Sequence, residues 1–384
     1  MRICLYSSTV LPKLGGQEMV VDALARQFLA AGHDVGVLAP NPRRPLRPDD
    51  AQLPYRVARH PRPFSARFGV SWYRHWLAKL HADWPFDILH CHGIDPPGYL
   101  AAILQSRLRV PVVITSHGGD VYEGASRLSK AAARRRAVQA LAAADALVAI
   151  SRFTEEGFRR LCPDVRRIEQ IPNGVDPQPF ATAADCPPEL QAAGLSSKQY
   201  LLFLGRIHER KGVDLLIEAF RHLKGHNSLR LVLAGDGPQR AECERTVAET
   251  GLTSRVWFAG TVRGNAKTWL LQNALVAIMP TRTWEAFPLV VLESYAAGTP
   301  IVASRTPGLA DLVQPDQTGM LFEPGASADL CRALQQALQE PAKLATWGEN
   351  ARRMAKEYAW PKIAGQHLAL YQQLLAERKQ HAAA

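Results

Sequence analysis

The largely apolar segment 283–300 contains two acidic side chains, Glu285 and Glu293. Pro288 suits the first position of a helix, where its missing N–H would be unpaired in any case. Gly298 supplies a left-handed stop at the other end. The pattern predicts a helix over residues 288–297, with Glu285 in the loop before it and Glu293 inside it.

The start of this helix is a ready anion site. The backbone N–H groups of Leu289 and Val290 have no partner within the helix, and the helix dipole favours negative charge there. A carboxylate beside such an end needs a cationic or polar partner, so Glu285 indicates a bound ligand. From these two positions alone the simpler alternative stays open, in which Glu285 is a solvated loop residue and Glu293 an ion-paired core residue.

A basic loop, residues 205–212, follows a predicted strand and precedes a predicted helix. It holds Arg206 and Lys211 at the carboxyl end of the strand. Two cations in that place can neutralise a diphosphate, which is the leaving group of a nucleotide sugar. Glu209 and Arg210 are expected to face solvent. The alternative is that the whole loop is a solvated basic surface.

The first half of the chain offers weaker signals at the ends of its strands. Gly15-Gly16 follows the first strand, where backbone N–H groups can approach a phosphate or sugar, although a turn that requires glycine would look the same. The loop lacks the Gly-x-Gly-x-x-Gly pattern, which argues against a dehydrogenase. His117 ends a later strand and is either a ligand contact or structural. His90-Cys91-His92 is interpreted as the polar end of a strand rather than as metal ligands.

Short apolar runs alternate with helical patterns in both halves, which predicts parallel sheets covered by helices. The predicted strands are 2–8, 34–39, 86–92, 111–116, 146–150 and 167–172, then a run that starts at Tyr200, then 229–234, 256–259, 275–279, 300–303 and 319–322. The predicted helices include 17–31, 127–143, 213–223, 239–250, 266–274, 288–297, 327–339, 341–357 and 360–379. The fold class is therefore α/β, with two Rossmann-like doubly wound domains that face a central cleft at the carboxyl ends of their strands.

The domain junction is expected at Ile171-Pro172-Asn173-Gly174-Val175-Asp176, because strong turn chemistry breaks the alternating pattern there. We expect an amino-terminal domain over residues 1–175 and a carboxyl-terminal domain over residues 176–359.

The composition limits the classes of protein to which this chain can belong. A chain of 384 residues exceeds the size of one core, and 47% hydrophobic with 21% charged residues is ordinary for a soluble globular protein. Six scattered cysteines without a CxxC pair argue against a disulfide framework and a zinc knuckle. The start has no signal-peptide layout, and no apolar run approaches the ~20 residues of a membrane span. We expect a cytoplasmic protein.

The net charge of +11 is unevenly distributed. Residues 1–176 carry 24 Lys and Arg against 16 Asp and Glu, whereas the remainder carries 22 against 19. A basic excess in one half suggests an anionic partner: a membrane surface, a phosphorylated substrate or nucleic acid. No nucleic-acid-binding motif accompanies the charge, so nucleic acid is not expected.

These motifs together resemble the retaining GT-B glycosyltransferases of family 4, also called glycosyl transferases group 1. The resemblance rests on the Glu-x7-Glu segment from Glu285, the Gly-Arg-x4-Lys loop from Gly205, the paired glycines and the turn at 171–176. The matches span most of the chain in the family's order. The resemblance implies an acceptor-side first domain, a donor-binding second domain and a last helix, 360–384, that returns to the first domain.

The resemblance also implies a role for each matched residue. Glu285 would contact the transferred sugar near its reacting centre, and Glu293 would hold the ribose hydroxyls of the nucleotide. Arg206 and Lys211 would hold the diphosphate, and His117 would meet the donor sugar. The expected catalytic residues are Glu285, His117, Arg206 and Lys211. The expected donor contacts are Gly16, Arg206, Lys211, Val262 through its main chain, Ala286, Phe287, Pro288, Leu289 and Glu293.

The function that the resemblance implies is transfer of a hexose, with retention, from a UDP- or GDP-sugar to an acceptor hydroxyl. The acceptor would be a lipid-linked, lipid or saccharide molecule in glycolipid, polysaccharide or other cell-envelope glycan synthesis. No Asp-x-Asp motif occurs, so no metal ion and no cofactor are expected. The alternatives are a non-catalytic nucleotide-sugar binding protein and a GT-B sugar-nucleotide epimerase.

An aromatic stripe in the first domain bears on where the acceptor is met. Large apolar residues recur at every fourth position, which would align them on one face of a helix: Phe64, Phe68, Trp72, Trp76, Leu80 and Trp84. Cations lie around them, and aromatics beside cations are typical of a helix on an anionic membrane surface. Residues 62–84 therefore either dock the chain peripherally at the inner face of the cell membrane or form the core face of this domain.

Overall fold

The computed structural model describes residues 1–42, 49–62, 69–122, 124 and 128–383, and it divides into two compact units. One unit comprises Met1–Asn173 together with Trp360–Ala384, and the other comprises Gly174–Ala359. The chain therefore leaves the first unit at the turn after Asn173 and re-enters it with its last helix.

The first unit is built on a seven-stranded parallel sheet with the order β3-β2-β1-β4-β5-β6-β7. Its strands are β1 (Arg2–Ser7), β2 (Asp34–Pro40), β3 (Arg56–His60), β4 (Ile88–His92), β5 (Val112–Ser116), β6 (Ala146–Ala149) and β7 (Ile168–Gln170). Its helices are α1 (Gly16–Ala30), α2 (Gly69–Asp83), α3 (Tyr99–Leu108), α4 (Ala131–Ala143), α5 (Arg152–Leu161) and the last helix of the chain, α13 (Trp360–Ala383).

The second unit is built on a six-stranded parallel sheet with the order β10-β9-β8-β11-β12-β13. Its strands are β8 (Tyr200–Leu204), β9 (Arg230–Ala234), β10 (Val256–Gly260), β11 (Val276–Met279), β12 (Ile301–Ser304) and β13 (Gly319–Phe322). Its helices are α6 (Pro188–Ala192), α7 (Val213–Arg221), α8 (Arg240–Glu249), α9 (Gly264–Asn273), α10 (Leu289–Ala297), α11 (Ser327–Gln339) and α12 (Pro341–Glu357). Two parallel-sheet, Rossmann-like domains confirm the predicted fold class.

Helices cover both faces of the second sheet, which explains the apolar runs in its strands. Along β8, Tyr200 and Leu202 belong to one core cluster, whereas Leu201 and Phe203 belong to the cluster on the opposite face. Successive side chains of a strand point to opposite faces. The first four positions of β8 are therefore buried, and the strand reads as a continuous hydrophobic stretch rather than an alternating one.

Each sheet has a point where the strand order reverses. β1 lies between β2 and β4, and β8 lies between β9 and β11. In each sheet, two adjacent strands at this point, β1 and β4 or β8 and β11, are followed by loops that turn to opposite faces of the sheet. The two loops leave a crevice outside the carboxyl edge of the sheet. Open α/β sheets bind ligands at such a point.

The predicted strands agree with the structure to within about two residues, but β3 was not predicted. Its residues Arg56–His60 include two arginines, and its middle three residues are only partly buried. The strand lies at the edge of the sheet, so it lacks the apolar run of a central strand. A second correction concerns Pro288, which caps α10 with extended geometry rather than occupying its first helical position.

The aromatic stripe is divided between core and surface. Leu80 and Trp84 are buried, at 9% and 5% exposed, in the core of the first unit, as the simpler alternative predicts. Trp72 and Trp76 are only partly buried and lie 6.4 Å apart between ring centroids. Phe64 and Phe68 lie outside the described residues.

The cysteines are free thiols: Cys4, Cys91, Cys162, Cys186, Cys243 and Cys331. Across the described part of the chain, no group of three or more His, Cys, Asp or Glu side chains is arranged to hold a metal ion. Within that same part, no helix is both long enough and apolar enough to pass through a bilayer.

Candidate functional site

The loops that follow β8 and β11 meet at an ion pair between a partly buried lysine and a buried glutamate. The Lys211 ammonium lies 2.5 Å from Oε1 of Glu285, and the Thr281 hydroxyl donates to the same oxygen at 3.0 Å. Glu285 is only 8% exposed. The cationic partner that the carboxylate requires is therefore Lys211 itself. Sequence reasoning did not identify Thr281, although it lies two residues after the predicted strand 275–279.

Further contacts hold these two loops together. The Arg282 N–H donates to the carbonyl of Arg210 at 2.8 Å, and the Arg282 side chain pairs with Asp214 at the start of α7. The Arg210 guanidinium lies 4.6 Å from the ring centroid of Trp284. Glu209 is exposed, as predicted, whereas Arg210 is only partly exposed, because its guanidinium stacks on this ring beside Glu285.

Two glycines let the loops approach backbone to backbone. Gly308, after β12, has φ +83°, and a Cβ there would lie 1.7 Å from the carbonyl oxygen of Glu285. Gly212 has φ +66°, and a Cβ there would lie 2.1 Å from the carbonyl oxygen of Pro280. The Glu285 N–H also donates to Pro307 at 3.0 Å. The position of the carboxylate is thus set by main-chain contacts on both sides.

Arg206 is the second cation of the basic loop and has a different environment from Lys211. Its side chain is exposed, and it makes no ion pair or hydrogen bond with any of the residues that the structure describes. It follows β8 directly, at the strand-order reversal. Its guanidinium is therefore available to an anion.

The start of α10 has the properties predicted for an anion site. The helix begins at Leu289, and no side chain caps this end. Leu289 and Val290 are partly exposed, whereas Val291 and Leu292 are fully buried. Pro288 accepts a bond from the Val291 N–H at 3.0 Å.

The residues between Glu285 and α10 are mostly packed. Ala286 is 7% exposed, and Phe287 lies 6.0 Å from Tyr358 between ring centroids. Ligand contacts from this segment are therefore expected through its backbone rather than through its side chains.

Glu293 has a partner that sequence reasoning missed. Its carboxylate lies 2.7 Å from the ammonium of Lys267 on α9. The pair is partly exposed, with 23% of the Glu293 side chain accessible, so Glu293 is paired without being a core residue. Lys267 is five residues after Val262, which is partly exposed in the loop beyond β10.

In the first unit, Gly16 is the first residue of α1. It is exposed, its φ is not positive, and a Cβ added there would meet nothing within 4 Å. Neither conformation nor packing requires glycine at this position. The next residue, Gln17, donates from its amide to Ser7 and to the carbonyl of His92, both at 3.0 Å, and so ties the loop to the ends of β1 and β4.

Glu18 is a further candidate that sequence reasoning missed. It is 3% exposed, it pairs with Lys13 at 2.8 Å, and it accepts a hydrogen bond from Thr9 at 2.5 Å. Burial acts to raise the pKa of this carboxyl, but the hydrogen bonds from Lys13 and Thr9 prevail and lower it. Glu18 is therefore a carboxylate at neutral pH.

His117 follows β5 and is partly exposed. Its Nε2 lies 3.0 Å from Nδ1 of His92, the last residue of β4. Burial lowers the pKa of His117 to about 4, although the charge of Glu18 acts in the opposite direction. The imidazole is neutral at pH 7, so it can offer a ligand a directed hydrogen bond rather than a charge.

Comparison with known proteins identifies the family. The model of "Glycosyltransferase Family 4" matches residues 14–179, and that of "Glycosyl transferases group 1" matches residues 189–354. The D-inositol 3-phosphate glycosyltransferase of Xylanimonas cellulosilytica is 32% identical over 76% of this chain and 73% of its own length. The chain belongs to glycosyltransferase family 4.

Other relatives cover nearly all of this family 4 glycosyltransferase. A GDP-mannose-dependent α-(1-6)-phosphatidylinositol monomannoside mannosyltransferase of Mycolicibacterium smegmatis is 26% identical over 98% of both chains. The sucrose-phosphate synthase of Thermosynechococcus elongatus matches with a TM-score of 0.79 and 27% identity, over 98% of this chain and 99% of that structure.

A structure of Anabaena HepE in complex with UDP-glucose matches the glycosyltransferase with a TM-score of 0.79 and 21% identity, over 97% of this chain and all of that one. These matches confirm the expected GT-B fold.

Proposed function

We propose that this glycosyltransferase moves a hexose from a UDP- or GDP-sugar to an acceptor hydroxyl, with retention of the anomeric configuration and without a metal ion. The observation that carries the proposal is the Lys211–Glu285 ion pair, formed in the second unit where β8 and β11 end. A buried carboxylate, a cation that holds it and a second, exposed cation at Arg206 suit the cleavage of a sugar–diphosphate bond.

The charges explain the proposed roles. Cleavage of the anomeric C–O bond leaves positive character on the sugar and negative charge on the departing diphosphate. Arg206, Lys211 and the uncapped start of α10 would stabilise the diphosphate, and Glu285 would orient the sugar and stabilise its positive character. These groups supply the positive charge that a divalent cation would otherwise provide. Lys211 would connect the two groups, because it is bound to Glu285 and would also contact the diphosphate.

The nucleotide end of the donor would be held by Glu293. A partly exposed carboxylate is a suitable acceptor for the two ribose hydroxyls, and the ion pair with Lys267 holds it in place. The relatives support a nucleotide sugar as donor. One is named for its use of GDP-mannose, and HepE was solved with UDP-glucose.

The first test is a donor screen followed by a transfer assay. We expect one UDP- or GDP-sugar to raise the melting temperature, since a ligand that binds only the folded state stabilises it by mass action. The same donor should then release free nucleoside diphosphate in the presence of an acceptor and excess chelator. Loss of activity in chelator that magnesium or manganese restores would overturn the metal-free mechanism.

The product distinguishes the remaining possibilities. Proton NMR should give the same anomeric configuration in product and donor, and an inverted product would refute retention. Donor binding without turnover of any acceptor would indicate a nucleotide-sugar binding protein. Conversion of the donor into an isomeric sugar nucleotide, or its hydrolysis to the epimeric free sugar and nucleoside diphosphate, would indicate an epimerase.

For the acceptor, we propose a lipid or lipid-linked molecule at the inner face of the cell membrane, in glycolipid or other cell-envelope glycan synthesis. The mycobacterial relative acts, by its name, on a phosphatidylinositol monomannoside. In the first unit the start of α2 carries Val70, which is 38% exposed, and Trp72 of the aromatic stripe, which is partly exposed. An apolar surface in a basic domain suits an anionic bilayer.

Vesicle co-sedimentation tests this acceptor proposal. We expect binding to vesicles that contain anionic phospholipid at low salt, weaker binding at high salt, and little binding to neutral vesicles. A Val70→Ser variant should bind less, whereas Val110→Ala, a buried change, should not affect binding. Absence of binding under all conditions would indicate a soluble saccharide acceptor.

A further inference from the structure

A row of buried imidazole rings leads from His117 into the first unit. The ring centroids of His117 and His92 are 5.3 Å apart, those of His92 and His90 are 4.4 Å apart, and those of His90 and His367 on α13 are 5.3 Å apart. His90 and His92 are fully buried, and His367 is 3% exposed. The proposed function uses only His117 and does not explain the row formed by the other three imidazoles.

The inner part of this row is firmly anchored. Nδ1 of His90 lies 2.6 Å from the hydroxyl of Tyr371 on α13, and Nε2 of His90 lies 2.7 Å from the hydroxyl of Thr115 on β5. Both ring nitrogens of His90 are thus paired, and its ring supports that of His92. The last helix of the chain therefore helps to fix the ring that contacts His117.

The hydrogen bond between His92 and His117 has two possible proton arrangements. Burial lowers the pKa of His92 well below its ordinary value, with the neighbouring imidazoles acting in the same direction, so both rings are neutral at pH 7. Either His92 donates from Nδ1 to Nε2 of His117, or His117 donates from Nε2 to Nδ1 of His92. In the first arrangement Nδ1 of His117 carries a proton and is a donor. In the second it carries none and is an acceptor.

The second nitrogen of His92 decides between them. Its Nε2 is buried and has no hydrogen-bond partner among the residues that the structure describes. If His117 donated, His92 would carry its proton on Nε2 and bury an unpaired N–H. If His92 donates, the unpaired atom is a bare nitrogen. An orphaned buried donor is rarer in proteins than an under-used acceptor, so the arrangement in which His92 donates is favoured.

We propose that His92 is a positioning residue that fixes His117 in the tautomer with its proton on Nδ1. His117 then presents an N–H donor, and the group it recognises is an oxygen with a free lone pair, on either the sugar or the phosphate of a bound substrate. That this oxygen belongs to a glycosyl donor rests on the proposed function, whereas the tautomer does not.

Nitrogen NMR of histidine-labelled protein at pH 7 tests the tautomer without any activity. The His117 signals are assigned as those lost in His117→Gln. We expect Nδ1 of His117 at the position of a protonated ring nitrogen and Nε2 at that of an unprotonated one. The reverse pattern would overturn the proposal even if the enzyme is fully active.

Two variants at position 92 separate tautomer control from packing. His92→Phe keeps an aromatic ring beside His90 but removes the donor, so His117 should shift toward the Nε2–H tautomer that a free neutral imidazole prefers. His92→Asn retains a side-chain N–H near the Nδ1 position and should preserve the native pattern. An unchanged His117 tautomer in a folded His92→Phe protein would refute the role of His92.

The effects of the two variants on kcat/KM should follow the order of their effects on the His117 tautomer. His92→Phe is expected to lower kcat/KM on the order of three- to tenfold, the worth of one neutral hydrogen bond, with partial recovery in His92→Asn. In a His117→Gln background, His92→Phe should have no further effect on turnover, because the two act through one hydrogen bond. Fully additive effects would show that His92 acts independently of His117.

The source of the recognised oxygen is read from the same spectra. A shift of the His117 Nδ1 signal with the nucleotide sugar but not with the nucleoside diphosphate alone would identify a sugar oxygen, and a shift with both would identify a phosphate oxygen. No shift with any donor that raises the melting temperature would overturn the assignment of His117 to the donor and leave the tautomer result unaffected.

Discussion

At the scale of single residues, the Lys211–Glu285 pair couples two groups that the sequence assigns to different parts of the donor. Lys211 is expected at the diphosphate and Glu285 at the sugar, yet the two side chains are in direct contact. A buried charge that loses its partner is costly. Replacing Lys211 therefore affects the leaving group and also the position of Glu285, and the pair should not behave as two independent contacts.

Lys211→Ala is predicted to lower kcat/KM by an amount that corresponds to a loss of about 2–4 kcal/mol of transition-state stabilisation. The reason is that the negative charge of the leaving group is no longer neutralised. Steady-state kinetics with the preferred donor measures this loss. Arg221→Ala is the matched control, since Arg221 is an exposed cation of the same unit that pairs with Glu218 on α7. Turnover of Lys211→Ala near that of the control would contradict the diphosphate assignment.

Glu285→Gln and Glu293→Ala are predicted to impair different steps, the first sugar transfer and the second binding of the nucleotide. Glu285→Gln should abolish most transfer while leaving the affinity for the nucleoside diphosphate largely intact, because its contact is with the sugar. Glu293→Ala should weaken binding of the nucleotide itself. Isothermal titration of both variants with UDP and GDP separates the roles. Equal losses of nucleotide affinity would mean that the two roles are divided wrongly.

At the scale of the elements, the candidate site of the second unit depends on loops that nearly touch. The loops after β8, β11 and β12 approach at Gly212 and Gly308, where a side chain would meet a backbone carbonyl. Backbone cannot move aside as the end of a side chain can. These contacts hold Glu285 just before α10 and explain why a loop residue can be buried and still be well positioned.

Gly308→Ala is predicted to lower activity by more than its loss of stability explains. The added Cβ would overlap the carbonyl oxygen of Glu285 at 1.7 Å, so the loop that carries the carboxylate must shift. Gly225→Ala is the control, because Gly225 also has a positive φ, +75°, but its Cβ would meet nothing within 4 Å. Both should lose about 1 kcal/mol through the strained backbone, but only Gly308→Ala should lose turnover at a temperature where both are folded.

At the scale of the whole molecule, the chain crosses from the first unit to the second and returns with α13. The returning helix places Tyr371 on His90 and buries His367 beside it. A terminal helix thus completes the core of the first unit. Its polar side chains give that unit a dependence on pH.

His367 is predicted to make stability fall as the pH drops below neutral. Burial lowers its pKa to about 3 from an ordinary value of 6.5. Between these values the unfolded chain binds a proton that the folded one does not, so the free energy of unfolding rises with pH. This stability is present in full above pH 6.5 and is lost progressively as the pH falls from 6.5 to about 3. One such group contributes at most about 1.4 kcal/mol per pH unit.

Denaturant titration of the His367→Phe variant between pH 4 and 7 checks this effect. The slope of unfolding free energy against pH, for the transition that reports the first unit, should decrease by up to the contribution of one proton. His75→Gln, at an exposed position, should leave the slope unchanged. A slope that does not change in His367→Phe would show that the pKa of His367 is the same in the folded and the unfolded protein.

The sequence by itself determined the parts of this protein that depend on local pattern. Continuous apolar runs identified the strands that are buried on both faces, and Gly298 marked the end of α10. Turn chemistry at 171–176 marked the junction, and the Glu-x7-Glu and Gly-Arg-x4-Lys spacings indicated the family. These features follow from the conformational preferences of neighbouring residues, so they are readable without tertiary contacts.

Only the tertiary structure decided which side chains are partners. Lys211 and Glu285 are 74 residues apart in the chain, and His90 and Tyr371 are 281 apart, so no local pattern connects them. The edge strand β3 was missed because half-exposed positions at an edge carry no apolar run. The contacts of Lys267 with Glu293 and of His92 with His117 were missed for the same reason, because they join separate elements of the chain. Glu18 and Thr281 contact residues within nine positions, but their burial is decided by the elements packed around them.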